Sequence, residues 1–393
     1  MRRLVNLSLC LLIVGVVLTS CTRRPPQMGR EVFLYAPLGM GEGQIGSNYD
    51  LLTNAGIDDD IDIKDQLDVP TSIQILGKKV YVADKYRRAI LVLTPGTFGK
   101  AVQQMVISNV GEGYAFDTVY QIAVNKYGEI YAVVSLPLTN RSVPLQVVDS
   151  NEIGDVNNYA IYKFGYNGRF LFSIGFRGIN TEPMPAPDAI DLDLFGNLYA
   201  YFREDVLGEL HWKVCRYSSS GELNFEFDSQ YLAKQQEIDG EMYSTELYSI
   251  GNLKNDERLI FFMGNYLFKE TPEKGKQLVS YRSLFEMYSI LKNTIARQIL
   301  DEKNRLEDIL SIAWDDTIVL YGYDEKYKVV RFHFYDMFKN QHAYQYAPMI
   351  GAPYVNFGFY AAPNGEIYSI VVKDNKQYIL LHWKKRNQTK LFE

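Results

Sequence analysis

The sequence predicts an all-β fold, a β-propeller of six four-stranded blades, with seven as the alternative count. Three observations carry this. Tyr (30 residues) and Phe (21 residues) are abundant, and residues of this type favour sheet over helix. One unit recurs along the chain as strand, tight glycine turn, strand, variable loop, strand, glycine turn, strand, and four antiparallel strands are the content of one propeller blade. A lone strand, EVFLYAP at 31–37, precedes the first full unit; pairing it with the last unit would close the ring and remove two exposed edges.

Taken in order, the chain opens with Arg2 and Arg3 before a nearly unbroken apolar run at 4–18. That is the layout of an export signal. The run is shorter than the roughly 20 apolar residues a spanning helix needs. Leu18, Thr19, Ser20 and Cys21 resemble the bacterial lipobox, in which cleavage precedes a cysteine that carries a diacylglycerol thioether. The competing reading is a simple signal peptide or signal anchor with an incidental cysteine. Acylation of Cys21 with two or three chains meets the roughly two signals required for stable anchoring. The expected organisation is a signal peptide at 1–20, a lipidated tether at 21–30 stiffened by Pro25 and Pro26, a closing strand and acidic connector at 31–68, and the propeller at 69–393. This places the chain in the bacterial cell envelope, outside the cytoplasm, at the outer membrane or the periplasmic face of the inner membrane.

Processing would remove Cys10 and occupy Cys21, leaving Cys215 without a disulfide partner, and a chain of this size builds a core large enough to dispense with one. Net charge falls from -6 to -8 once Arg2 and Arg3 leave, which disfavours a nucleic-acid partner.

The connector contains one nucleotide-like signal, Gly41, Gly43 and Gly46 in a G-x-G-x-x-G spacing. A dinucleotide site needs a helix behind those glycines and a continuing βαβ series. Here only Leu51 and Leu52 offer an apolar face, and Gly56 and the acids Asp58, Asp59, Asp60 and Asp62 follow. A loop is the better reading. The acidic run lacks the spacing of a calcium loop and reads as a solvated connector.

The units follow at 69–95, at 120–134 with 159–175, at 187–202 with 211–227, and at 355–372 with 377–385; degenerate copies lie at 247–264 and 309–323. Gly128, Gly196 and Gly365, with Gly168 and Gly221 in the outer hairpins, sit where a tight turn needs positive φ. Second strands are expected at Val80, Ile130, Leu198, Leu259, Ile318 and Ile367, spaced by 49 to 68 residues, so loops are inserted between compact blades. Residues 284–308 fit a helix as well as a strand.

Pro70, Ile73, the VYVAD of 80–84, Arg88 and Ile90 resemble an NHL repeat. Pro187, Ile190, Gly196, Asn197 and Tyr199 match the same pattern without its closing aspartate. With the lipobox, the chain is similar to a bacterial NHL-type propeller lipoprotein. Such families include protein-binding and RNA-binding modules and a few lyases and hydrolases, so the resemblance implies architecture and leaves function open.

Reactive motifs are sparse. His211, His333, His342 and His382 have no metal-ligand spacing, and Cys215 alternates within a strand as a small buried residue would. The sequence assigns no catalytic residue, metal or cofactor. Function is expected on the long loops of one face, where Tyr86, Arg87, Arg88, Arg177 and Arg203 would form a basic opening, with an Asp84–Arg88 ion pair as the structural alternative. The expected role is a non-catalytic scaffold for an envelope protein, peptide or glycan, the alternative a propeller hydrolase or lyase with its site at the channel mouth.

Overall fold

The segment Ile130–Ser135, IYAVVS, is buried at all six positions. A strand of this kind has no solvent face and must be sandwiched between neighbours. Ile130, Ala132 and Val134 pack with Tyr81, Ile90 and Ile107 on one side, while Tyr131 and Val133 pack with Leu198, Ala200 and Phe202 on the other. Repeated around the chain, this two-sided burial stacks six sheets into a ring.

The computed structural model describes residues 27–48, 52, 66–137, 158–206, 209–228, 235–290, 292, 294–303, 308–325, 327–351 and 353–385. The signal peptide, Cys21 and most of the acidic connector lie outside them. Blade one comprises Ile73–Leu76, Lys79–Asp84, Ala89–Pro95 and Ala101–Ser108; blade two Thr118–Val124, Ile130–Ser135, Tyr159–Phe164 and Phe170–Gly175, with the short Gly178–Ile179 added outside. Blade three is Ala189–Leu192, Leu198–Val206, Glu209–Tyr217 and Leu223–Asp228. Blade four holds Gln235–Ile238, Glu241–Asn252, Arg258–Thr271, Gly275–Ser289 and Thr294–Lys303. Blade five is Asp308–Ile312, Ile318–Asp324, Val329–Asp336 and Gln341–Pro348. Tyr354–Ala361, Ile367–Lys373 and Gln377–Lys384 make blade six, with Gly29–Pro37 outermost.

All six expected second strands are present. Blades two and four carry five strands instead of four. The described part of 284–308 is strand and not helix: Arg258–Ser289 and Thr271–Gly275 are cross-strand partners along the whole length of the hairpin, and 294–303 pairs outside it. That pairing satisfies the backbone with neighbouring strands, and helical apolar spacing in the segment is incidental.

The glycine turns are built as expected, with a second device beside them. Asn125 Oδ1 accepts the Tyr127 and Glu129 N–H groups, each at 3.0 Å, and Asp193 Oδ1 accepts those of Phe195 and Asn197. Gly128 and Gly196 then take φ of 84° and 86°. In blade five Asp316 holds the left-handed position at φ 66°, and its carboxylate accepts the Lys254 N–H at 2.6 Å and the Asn255 N–H at 3.1 Å from blade four. This interblade bond offsets the strain of a non-glycine residue there, which is why the fifth copy reads as degenerate.

The ring closes through the two ends of the described chain. Gly29 pairs with Lys384 and Pro37 with Gln377, with a bulge between Val32 and Leu34. Leu34 and Ala36 are fully buried. Met28 inserts among Val319, Phe332 and Trp383, between blades five and six, and donates its N–H to Tyr346 O at 2.7 Å. Deleting residues 29–37 strips the cover from the edge of Gln377–Lys384, and an open edge templates association. The deletion chain is expected to elute as oligomers in size-exclusion chromatography; an unchanged monomer with unchanged Tm would show that the seam is dispensable.

At this seam the Glu31 carboxyl is held below its ordinary value of 4.5, chiefly by a hydrogen bond from Lys384 and further by His382, against a smaller opposing effect of burial. A lowered carboxyl pKa gives stability that is present above the ordinary value and lost as pH falls through the lowered one. A Glu31→Gln chain should therefore lose less Tm than its parent between about pH 5 and about pH 3. Parallel acid limbs in the two melting profiles would contradict this.

Candidate functional site

The inner strand of each blade lines the central channel and runs from one face of the ring to the other; it is the first strand of its blade except in blade four, where Glu241–Asn252 takes this place and the strands are counted from it. Connections between second and third strands, and links between blades, lie on the first, loop face; the hairpins joining first to second and third to fourth strands lie on the opposite, turn face. A cavity of about 380 Å³ in the channel is lined from all six inner strands. At one level stand Gln74, Ala123, Asp191, Gly251, Ser311 and Tyr360. They are register equivalents, pairing with Tyr81, Tyr131, Tyr199, Ile260, Val319 and Tyr368 of the second strands.

Five of those six positions are uncharged, and the sixth is Asp191. Its Oδ2 accepts the Lys254 Nζ in an ion pair, and its Oδ1 accepts the Leu192 N–H at 2.8 Å. Lys254 is buried and donates a second bond to Leu192 O at 3.1 Å. A buried ammonium with a paired carboxylate and a carbonyl is satisfied, and neither partner is free to act as base or nucleophile. Across the channel, the Tyr360 hydroxyl accepts the Ile75 N–H at 3.1 Å and donates to Gln74 Oε1 at 3.3 Å. Burial pushes its pKa up, so it stays a neutral phenol.

The floor of the channel is laced on the turn face. Leu194 N–H donates to Lys254 O at 2.8 Å, and Trp314 N–H to Pro363 O at 2.7 Å. Together with the Asp316 contacts to Lys254 and Asn255, these bonds link blades three, four, five and six in succession. The result is a small chamber of mixed polar and apolar lining, with the satisfied Asp191–Lys254 pair on its wall and Asp193 and Lys126 also among its lining residues.

The basic residues expected on the loop face are there, each engaged locally. Tyr86 donates its hydroxyl to Asp68 Oδ2 at 2.7 Å, and loss of solvent together with that carboxylate pushes its pKa up. Arg87 donates from Nη1 to Gln44 O at 2.8 Å. Arg88 pairs with Asp117 at 3.2 Å, so the Asp84–Arg88 pair anticipated from sequence is replaced. Asp84 is fully buried and accepts the Gly46 N–H at 2.7 Å and the Arg87 N–H at 2.9 Å. A Cβ on Gly46 would lie 2.5 Å from Asp84 Oδ1, which accounts for one glycine of the G-x-G-x-x-G spacing by close packing. Arg177 lies over the Phe176 ring at 5.7 Å, and Arg203 over Trp212 at 5.8 Å, the latter also 3.3 Å from Asp188. Tyr86, Arg87 and Arg88 share one connection of blade one; Arg177 and Arg203 belong to blades two and three.

The histidines lie off the cavity lining. His333 Nε2 and His342 Nδ1 are 2.8 Å apart on the outer strands of blade five, His382 lies at the closing seam, and His211 is on the third strand of blade three. Cys215 is buried, and burial pushes its thiol up to about 11. Among the described residues no group of three or more His, Cys, Asp or Glu side chains converges as a metal site. Sequence reasoning missed Asp191 and Lys254. The available signal was an aspartate where equivalent inner-strand positions carry Gln, Ala, Gly, Ser or Tyr.

No protein-family model and no curated protein matches the sequence. Among solved structures, an oligogalacturonate lyase in complex with manganese is 10% identical, covering 79% of this chain and 74% of its own at a TM-score of 0.44. The polysaccharide lyase Uly1 is 9% identical over 80% of this chain and 90% of its own, at a TM-score of 0.39. The PQQ-bound aldose sugar dehydrogenase from Streptomyces coelicolor is 10% identical over 91% and 99%, at 0.38. Likenesses this remote leave substrate and reaction open. The strand order of this chain itself defines a six-bladed β-propeller.

Replacing Asp191 by Asn leaves a buried ammonium without a counter-charge, which costs about 1–3 kcal/mol. Asp191→Asn is expected to lower Tm, and adding Lys254→Met to restore most of the loss. Equal melting of the single variant and the parent would remove the pair from the account of the channel wall.

Proposed function

We propose that this chain is a lipid-anchored, NHL-type propeller of the bacterial cell envelope that binds a partner on its loop face and catalyses no reaction. The partner class is a protein, peptide or glycan, and the observation that carries the reading favours a protein. Arg258–Thr271 and Gly275–Ser289 are 14 and 15 residues long, well beyond the strand of about 5–6 residues that a compact blade uses. Their far halves therefore rise from the loop face as a ribbon. Phe268, Leu278 and Val279 on it, and Met242 on the flanking strand Glu241–Asn252, are 40–53% exposed. Apolar side chains presented on a rigid, hydrogen-bonded arm suit an interaction surface. The satisfied Asp191–Lys254 pair and the locally engaged arginines agree with a scaffold.

A second reading, a hydrolase or lyase acting at the channel mouth, is favoured by Asp308. It is the exposed first residue of the blade-five inner strand, next to Ile309 of the cavity lining at the loop end of the channel, and partial desolvation pushes its carboxyl up. In cells, a photo-crosslinking residue at Leu278 should capture one specific protein, and the same residue at Asn364 on the turn face should not. Failure to capture any partner, combined with turnover of a defined substrate that Asp308→Asn abolishes, would replace the first reading by the second.

A further inference from the structure

The four most exposed aromatic side chains among the described residues are Phe98, Tyr127, Tyr166 and Phe195, at 63–94%. They are scattered over 98 positions of sequence, yet all four occupy hairpin tips on the turn face. Phe98 caps the third-to-fourth hairpin of blade one, Tyr127 and Tyr166 the two hairpins of blade two, and Phe195 the first hairpin of blade three. Packing does not explain them, since a hairpin tip needs only turn-forming residues. Phe98 even takes φ 57°, an unfavourable conformation for a bulky side chain.

Exposed cations accompany the rings on the same face, Lys100 in the Phe98 hairpin, Lys126 and Arg169 in the two hairpins of blade two, and Lys78 and Lys79 in the other hairpin of blade one. Lys126 lies over the Tyr127 ring at 5.2 Å. Of the carboxylates in the turn-face hairpins of blades one to three, Glu129 is taken by Lys163 at 3.4 Å and by Asn125 Nδ2 at 2.7 Å, Asp193 is buried and accepts the N–H groups of its own turn, and Glu222 on blade three is exposed. In a chain of net charge -6 this sector of the turn face is locally basic.

The entering strand reaches the same sector. Gly29 pairs with Lys384, the last residue of its strand, at the turn-face end of blade six. Further on, Gly99 of the Phe98 hairpin lies against the Val32 and Phe33 backbone. Gln27, beside Tyr346 at the rim, is six residue steps from Cys21, a reach of at most roughly 20 Å.

We propose that the turn face of blades one to three is a membrane-docking surface for an anionic bilayer. The tyrosine tips seat at the headgroup level, where rings with a polar edge are favoured, the phenylalanine tips reach the acyl boundary, and the lysines and arginine meet anionic headgroups. The loop face and its ribbon then point away from the bilayer. This rests on the lipid-anchor reading for the short tether, but the surface is defined by side chains independent of it.

The test uses the full-length chain in vesicles containing phosphatidylglycerol and nitroxide-labelled lipid. A fluorophore is attached at Tyr127→Cys or, on the loop face, at Tyr323→Cys, in a chain carrying Cys10→Ser and Cys21→Ser so that the introduced thiol alone reacts; Cys215 is buried and escapes labelling. Quenching at 127 should exceed that at 323 by about threefold or more, because only headgroup-level sites meet the nitroxide. A Cys21→Ser chain should still bind phosphatidylglycerol vesicles, lose about tenfold in binding at high salt, and lose it also on Tyr127→Ser with Phe195→Ser. Equal quenching at the two positions, or binding indifferent to those substitutions, overturns the proposal. Labelled palmitate, given to the chain with Cys21 intact, separates the two readings. If it does not enter the chain while vesicle binding persists, the anchor reading falls and the docking face stands; if it enters while position 127 stays unquenched, the reverse holds.

Discussion

The two-sided burial of the second strands is the constraint on which the rest of the molecule depends. Ile130–Ser135 and Ile367–Lys373 are buried almost throughout, and each large apolar side chain so placed stabilises the fold by roughly 1.5–3 kcal/mol. A sheet with two apolar faces cannot end at water. Each blade therefore needs a neighbour on both sides, and only closure satisfies the first and last. Gly29–Pro37 supplies that closure as the outer strand of blade six, and Met28 seals the junction with blade five.

Closure separates two kinds of surface. Side chains on the inner strands meet in a narrow channel, where polar groups must be satisfied because water is restricted. Asp191, Lys254, Gln74 and Tyr360 are held in this way. The two faces of the ring are free to vary. One grows long connections and the ribbon of blade four; the other keeps short hairpins whose backbone geometry is dictated by glycine at positive φ and by Asx side chains. Short rigid tips are suited to presenting aromatic rings at a common interface, whereas a ribbon suits a shaped partner.

The same division explains where the loop-face arginines went. Arg87, Arg88 and Arg203 each find an acceptor within their own blade or an adjoining loop. An exposed pair of this sort contributes little to stability, and its effect is to fix loop geometry. The expected basic opening is thus a set of separately tethered groups, while the locally basic sector lies on the turn face.

Much of the fold was legible in the sequence. Alternation, glycine hairpins and β-branched runs are local signals, so all six second strands and the closing strand could be placed from residues alone. The degenerate turns were harder, because Asp316 takes the glycine position only through bonds from Lys254 and Asn255 of another blade. The strand character of 284–303 likewise depends on partners far away in the chain. Periodicity of 25 residues cannot record them. The candidate site was the least legible part. Asp191 and Lys254 are 63 residues apart, and the rings of Phe98, Tyr127, Tyr166 and Phe195 share a face only once the ring closes. Local propensity and hydrophobic pattern set the elements; which side chains meet across blades, and which face they share, was decided by the tertiary structure, because those contacts arise from ring geometry and carry no local period.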